Sequence, residues 1–131
     1  MNNALSILAA TALLTWLMLL VASLIRATAW TPRGLLLAFG NRDNLPPPTA
    51  LAGRAQRCAT NTLENFALFA ALVLAAQLKG ADAAQVLWGA KLFFWARLAY
   101  IPVYLMGITY LRTAVWAVGT VGMAIILMTL L

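Results

Sequence analysis

Four stretches of this chain are almost free of charge, and each is about as long as a bilayer is thick. They run from about Leu5 to Ile25, Ala59 to Leu78, Val86 to Met106 and Thr113 to Leu131. Roughly 20 apolar residues, rising 1.5 Å each as a helix, cross a hydrocarbon core of about 30 Å. In lipid the backbone must satisfy its own hydrogen bonds, so such stretches read as helices. Between them lie polar connections. Trp30 to Gly53 is the long one, punctuated by Thr31-Pro32, Gly40-Asn41 and Pro46-Pro47-Pro48. The proline run favours a stiff, extended path with few backbone donors. Gly80, Ala81 and Asp82 form a tight turn, and Gly107 to Leu111 forms another. Short links make antiparallel neighbours. The pattern predicts one all-α integral membrane domain over residues 1–131, a four-transmembrane-helix bundle.

Composition carries the same message. The chain is 64% hydrophobic and 9% charged, against about 45–50% and about 25% for a soluble domain. A soluble core of this length cannot hide so much apolar surface. Ala27-Thr28-Ala29 resembles a signal-peptidase site, but no Lys or Arg precedes the first apolar run, and that run is longer than a usual signal core. The first span is therefore expected to be retained. A single cysteine, Cys58, and the lack of histidine exclude an intramolecular disulfide and histidine-based catalysis or metal ligation. No metal is expected.

The net charge is +6, and its placement gives an orientation. Arg26, Arg33, Arg42, Arg54 and Arg57 fall between the first and second apolar stretches, against Asp43 alone, and Arg112 follows the third link. The second turn offers Lys79 and Asp82, with Lys91 a little inside span three. The positive-inside bias puts the long loop and Arg112 in the cytoplasm and both termini across the membrane. In a bacterial cell this is the inner membrane. No basic run is interleaved with aromatics on a soluble face, so no nucleic-acid partner is expected.

The most informative residues are charges within apolar stretches. Arg54, Arg57, Asn61 and Glu64 follow one another at spacings of three, four and three, one stripe on a helix. Arg97, Tyr100 and Tyr104 make a second stripe on span three. Each buried charge costs about 2.5–3.5 kcal/mol at a helix centre. Glu64 and Arg97 lie at comparable depth, and a pair between them would offset much of that cost. The pair alone does not account for Arg54, Arg57 and Arg112, whose excess positive charge suits an anionic ligand.

These segments resemble one family: the membrane-associated proteins in eicosanoid and glutathione metabolism (MAPEG), which include microsomal glutathione transferases. The resemblance rests on Arg57-x-x-x-Asn61-x-x-Glu64 in span two, Arg97-x-x-Tyr100-x-x-x-Tyr104 in span three and Arg112-Thr113 opening span four. Four spans and a basic first loop also match, so it covers nearly the whole chain. It implies a homotrimer that holds glutathione, as co-substrate, between neighbouring subunits on the cytoplasmic side. Arg57, Asn61, Glu64, Tyr100 and Tyr104 are then glutathione contacts, with Arg54 a further one, and Arg26 matches a family arginine. Arg97 pairs with Glu64 and orients it. Arg112 stabilises the glutathione thiolate, and Thr113 stands where some relatives have a hydroxyl. The chain departs from relatives with His at the position of Tyr100, Arg at Thr60 and Tyr at Trp116, and its link before Arg112 is one residue shorter.

Physical chemistry supports that reading. Glutathione carries two carboxylates and one ammonium group; arginines grip carboxylates bidentately, and Glu64 suits the ammonium. A free thiol of pKa about 8.5 is mostly protonated at neutral pH, and a nearby arginine raises the thiolate supply. The expected activity is a glutathione-dependent transferase or peroxidase acting on a lipophilic electrophile that arrives from the lipid side, as in detoxification. Two other classes stay open: a four-span cation exporter using Glu64, and a non-catalytic membrane adaptor with the same fold. Cys58 reads as a packing residue; Trp16, Trp30, Trp88, Trp95 and Trp116 read as interface belts and packing; Gly119 and Gly122 read as sites of close helix approach.

Overall fold

The computed structural model describes residues 2–131. Five helices follow in order: α1 (Ala4–Ala27), α2 (Pro32–Phe39), α3 (Ala50–Lys79), α4 (Ala83–Leu105) and α5 (Thr109–Met128). All but α2 are long and apolar enough to cross a membrane. The four-span bundle read from the hydropathy pattern is the observed architecture, with no strand among the described residues.

The chain marks the helix ends with side-chain caps. Asn3, Thr31, Thr49 and Asp82 each accept hydrogen bonds from first-turn amides of α1, α2, α3 and α4. Gly80 closes α3 in the left-handed conformation at φ 70°, where a residue without Cβ is unstrained. Pro46–Pro48 sits outside any helix and delivers the chain to Thr49. α3 starts at Ala50 and so carries Arg54 and Arg57 inside a helix that extends beyond the apolar stretch beginning near Ala59. α2 lies within the segment that sequence reasoning treats as an irregular connection. Its cue is local: Thr31 as cap, Pro32 in the first turn, then five apolar residues before Gly40 counting the glycine-flanked run Leu35–Phe39.

Packing is closest between α4 and α5 and between α1 and α3. Gly89 and Gly122 let α4 and α5 approach: a Cβ on Gly122 would stand 2.7 Å from the Gly89 carbonyl oxygen and 2.8 Å from the Phe93 amide nitrogen. The interior has two apolar clusters. One gathers Ile7, Phe69, Val73, Ala90, Phe93 and Ile126 at the end holding the α3–α4 turn, with the Phe69 and Phe93 rings stacked 4.2 Å apart. The other gathers Met18, Ala55, Cys58, Ala59, Tyr100 and Tyr104 toward the opposite end. Between them runs a buried polar layer of Thr11, Thr15, Thr62, Asn65 and Arg97. Thr11 and Thr15 return their hydroxyls to the carbonyls of Ile7 and Thr11, which leaves the polar groups of α3 and α4 to satisfy one another.

Candidate functional site

Arg97 organises this layer. It is 2% exposed, and its Nη2 donates to Asn61 Oδ1 at 3.0 Å and to Thr62 Oγ1 at 2.8 Å. Asn65 Nδ2 donates to the same Asn61 oxygen at 3.3 Å and to the Asn61 carbonyl at 2.9 Å. Asn61 is thereby fixed by two donors, with its side-chain oxygen facing them. Arg97 Nε is buried without an acceptor among the described residues.

The expected Glu64–Arg97 pair is not formed within the chain. Glu64 is exposed, while the buried line of α3 runs through Ala55, Cys58, Thr62, Asn65 and Phe69. Glu64 is one position, or about 100°, from Asn65 on the helix and therefore stands off the seam that Arg97 enters. Comparable depth made the pair plausible; in the structure Asn61, one turn before Glu64 on the same stripe, and its neighbour Thr62 accept from Arg97 in place of the carboxylate.

From Arg97 a ladder of cations and rings climbs toward the α4–α5 link. The Arg97 guanidinium carbon lies 4.1 Å from the Tyr100 ring centroid. Tyr100 meets Tyr104 edge to face at 5.4 Å, and the Arg112 guanidinium carbon lies 4.7 Å from the Tyr104 centroid. Spacings of three and four on α4 put these rings on one face, and the cation–ring contacts hold each guanidinium in register. Arg112 is half-buried in the opening of α5, which has no side-chain cap at Ile108 and no acidic residue in its first turn. A cation beside the positive end of a helix dipole is an electropositive point that an anion relieves.

Asn61, Tyr100, Arg112, Thr113 and Trp116 line one open cavity of about 170 Å³. The structure thus brings together four of the residues singled out in the sequence and adds Trp116, which the sequence suggested was belt or packing. The cue for Trp116 was its spacing of four from Arg112, one helical turn on the same face. The remaining candidates lie outside this lining. Tyr104 is buried behind it under Arg112. Arg57 is exposed, its guanidinium folded back over Gly53. Arg54 is half-buried, and its Nε donates to the Leu105 carbonyl at 2.9 Å, closing the end of α4. Arg26 is half-buried in the last turn of α1.

Four spanning helices, with a cationic, tyrosine-backed cavity where α5 begins, define a small polytopic membrane protein. The chain belongs to the MAPEG family: the family model matches residues 4–131, essentially its whole length. Glutathione-dependent transferase and peroxidase chemistry and eicosanoid metabolism are the general activities of that family, which also has non-catalytic members. No curated protein and no solved structure matches the chain significantly.

Proposed function

We propose that this protein is a membrane-bound glutathione-dependent transferase or peroxidase, in which Arg112 stabilises the glutathione thiolate for attack on a lipophilic electrophile. The observation that carries the reading is the position of Arg112: in the uncapped opening of α5, propped on Tyr104, and lining one cavity with Asn61, Tyr100 and Thr113. The donor set fits the ligand. A guanidinium and a helix N-terminus favour a sulfur anion, the Tyr100 hydroxyl and Asn61 amide can hydrogen-bond the peptide, and Trp116 offers an apolar wall.

Within the reaction, the thiol proton leaves to solvent at the open cavity. The thiolate either forms a C–S bond as the leaving group departs with its electron pair, or breaks the peroxide O–O bond to release an alcohol and a glutathione sulfenic acid, which a second glutathione converts to the disulfide and water. Arg112 acts on the sulfur charge, lowering the free energy of the thiolate relative to the thiol. Arg57 and Glu64 project from the outer surface of α3, where they suit one carboxylate and the ammonium of glutathione. A ligand that reaches both them and the cavity lies across the surface of the chain, which fits a site completed by a neighbouring copy; the family resemblance makes the assembly a homotrimer. The basic loop and the cavity face the cytoplasm in this reading.

The test is glutathione binding to the detergent-purified protein, followed by a panel of conjugation and peroxide substrates. Glutathione should bind with thiolate absorbance in the ultraviolet, and turnover should appear with at least one lipophilic electrophile. Absence of glutathione binding overturns the reading. Native mass spectrometry in mild detergent should show a trimer; monomer alone would refute the shared site.

A further inference from the structure

We infer that α2 is a surface anchor that lies in the membrane interface and recognises the phosphate headgroups of anionic lipids. The α2 surface and its cavity share no lining residue with the cavity at Arg112.

Three observations point the same way. First, α2 is clamped across the end of α1. Thr28 ends α1 in the left-handed region at φ 51°, and the Ala29 amide donates back to the Leu24 carbonyl at 3.0 Å, turning the chain sharply. Gly34 then packs so closely on this turn that a Cβ would collide with the Thr28 carbonyl oxygen. The inward face of α2 is thereby used up. Second, its outward face is apolar and uncovered: Leu36 is 76% and Phe39 83% exposed, with Leu35 beside them and Trp30 just before the helix. Leu36 and Leu35 stand three and four residues before Phe39, one side of a short helix. Such a face at the end of a membrane span is placed to enter the acyl boundary.

Third, the polar surroundings are cationic. Arg33 is exposed beside a cavity of about 410 Å³ that Asn44 also lines, and its guanidinium and the Asn44 amide are donors that suit a phosphodiester, whereas the Thr28 and Thr31 hydroxyls at the same cavity already donate to the carbonyls of Ala27 and Thr28. Arg42, itself at φ 61°, stays near this hairpin through its Nη1 bond to Ser23 Oγ at 2.8 Å and its Nε bond to the Ala38 carbonyl at 3.2 Å. Asp43 is the one acid in the connection from Trp30 to Gly53. Two arginines against one acid leave this connection with a net positive charge, and its uncommitted cation is the exposed Arg33, which an anionic leaflet attracts.

The experiment labels Phe39→Cys in the full chain with an environment-sensitive fluorophore. Cys58 is fully buried and stays unlabelled in the folded protein. The labelled protein is reconstituted in phosphatidylcholine vesicles, and brominated phosphatidylglycerol or brominated phosphatidylcholine is titrated in. Strong quenching by the brominated anionic lipid is expected. With Arg33→Gln, the mole fraction giving half-maximal quenching should rise about fivefold, the factor carried by one cation at a charged surface. The same titration with brominated phosphatidylcholine should not move. Quenching by aqueous iodide in place of lipid overturns the proposal, because α2 then stands in water. Shielding from both quenchers also overturns it, because a second copy then covers the helix. Equal response to both lipids, untouched by Arg33→Gln, overturns the headgroup recognition. A label at Leu36→Cys repeats the series if Phe39→Cys does not fold.

Discussion

Arg97 and Asn61 meet across the centre of the bundle, Nη2 to Oδ1 at 3.0 Å, and Thr62 shares the same nitrogen at 2.8 Å. The buried cation is thus held by neutral oxygens. Removing one of them while the charge remains leaves a guanidinium short of acceptors. Thr62→Val should therefore destabilise the protein by about 1–2 kcal/mol, the range for a charge-assisted bond between membrane helices. In an Arg97→Met background the same substitution should cost less than half as much. Equal costs in both backgrounds, measured by reversible unfolding in mixed micelles, would show that the contact contributes nothing.

Glu64 is expected to act on ligand rather than on Arg97. Because it is exposed and off the seam, Glu64→Gln and Arg97→Met should add in a double-mutant cycle to within about 0.5 kcal/mol. Glu64→Gln should nevertheless weaken glutathione binding. A coupling well above that limit would restore the ion pair.

The α4–α5 contact ties the site to the fold. Gly122→Ala puts a methyl group against the Gly89 carbonyl and the Phe93 backbone, neither of which is a movable side-chain end. Overpacking of this kind costs about 1–3 kcal/mol. α5 also carries Arg112 and Thr113, so a forced shift should reduce turnover as well as the unfolding temperature. Gly53→Ala, which meets the flexible Arg57 guanidinium at 3.3 Å, should leave the unfolding temperature nearly unchanged.

The architecture was legible because bilayer thickness sets a length that Leu5–Ile25 and its three successors match. That Arg112, Thr113, Asn61 and Tyr100 line one cavity accords with the grouping the family resemblance implied. Partner choice at Arg97 was not: spacing gives phase only within one helix, and the relative rotation of α3 and α4 decides whether Thr62 or Glu64 meets the guanidinium. Trp116 was assigned to belt or packing by a general rule, since membrane tryptophans are so often interface residues, although the resemblance sets it where some relatives have Tyr. α2 was obscured by the glycine and proline signals around it, which mark its ends at Pro32 and Gly40 as well as breaks in regular structure.

Orientation follows from arginine asymmetry. The loop between Arg26 and Arg57 and the link before Arg112 should face the cytoplasm, with both termini outside. Reporters fused after Leu131 should be active only if they work outside the cytoplasm. Activity of a strictly cytoplasmic reporter at that position would invert the arrangement.

Arg112 should be separable from the residues that grip the ligand. It lines the cavity and rests on Tyr104, whereas Arg57 lies on the outer surface of α3. Removing a charge that acts on the sulfur anion lowers kcat with little change in KM, while removing a gripping residue weakens binding first. Loss of one charge-assisted contact to a developing anion costs about 2.7–4 kcal/mol, or roughly 10²–10³ in rate. Arg112→Ala should therefore bind glutathione yet show little thiolate absorbance and turnover reduced by that factor. Arg112→Lys keeps the charge but not the guanidinium that lies over Tyr104, and should recover part of the rate. Arg57→Ala should need far more glutathione and keep much of its limiting rate. Normal thiolate formation and wild-type turnover in Arg112→Ala would remove Arg112 from the chemistry and leave it as a structural partner of Tyr104.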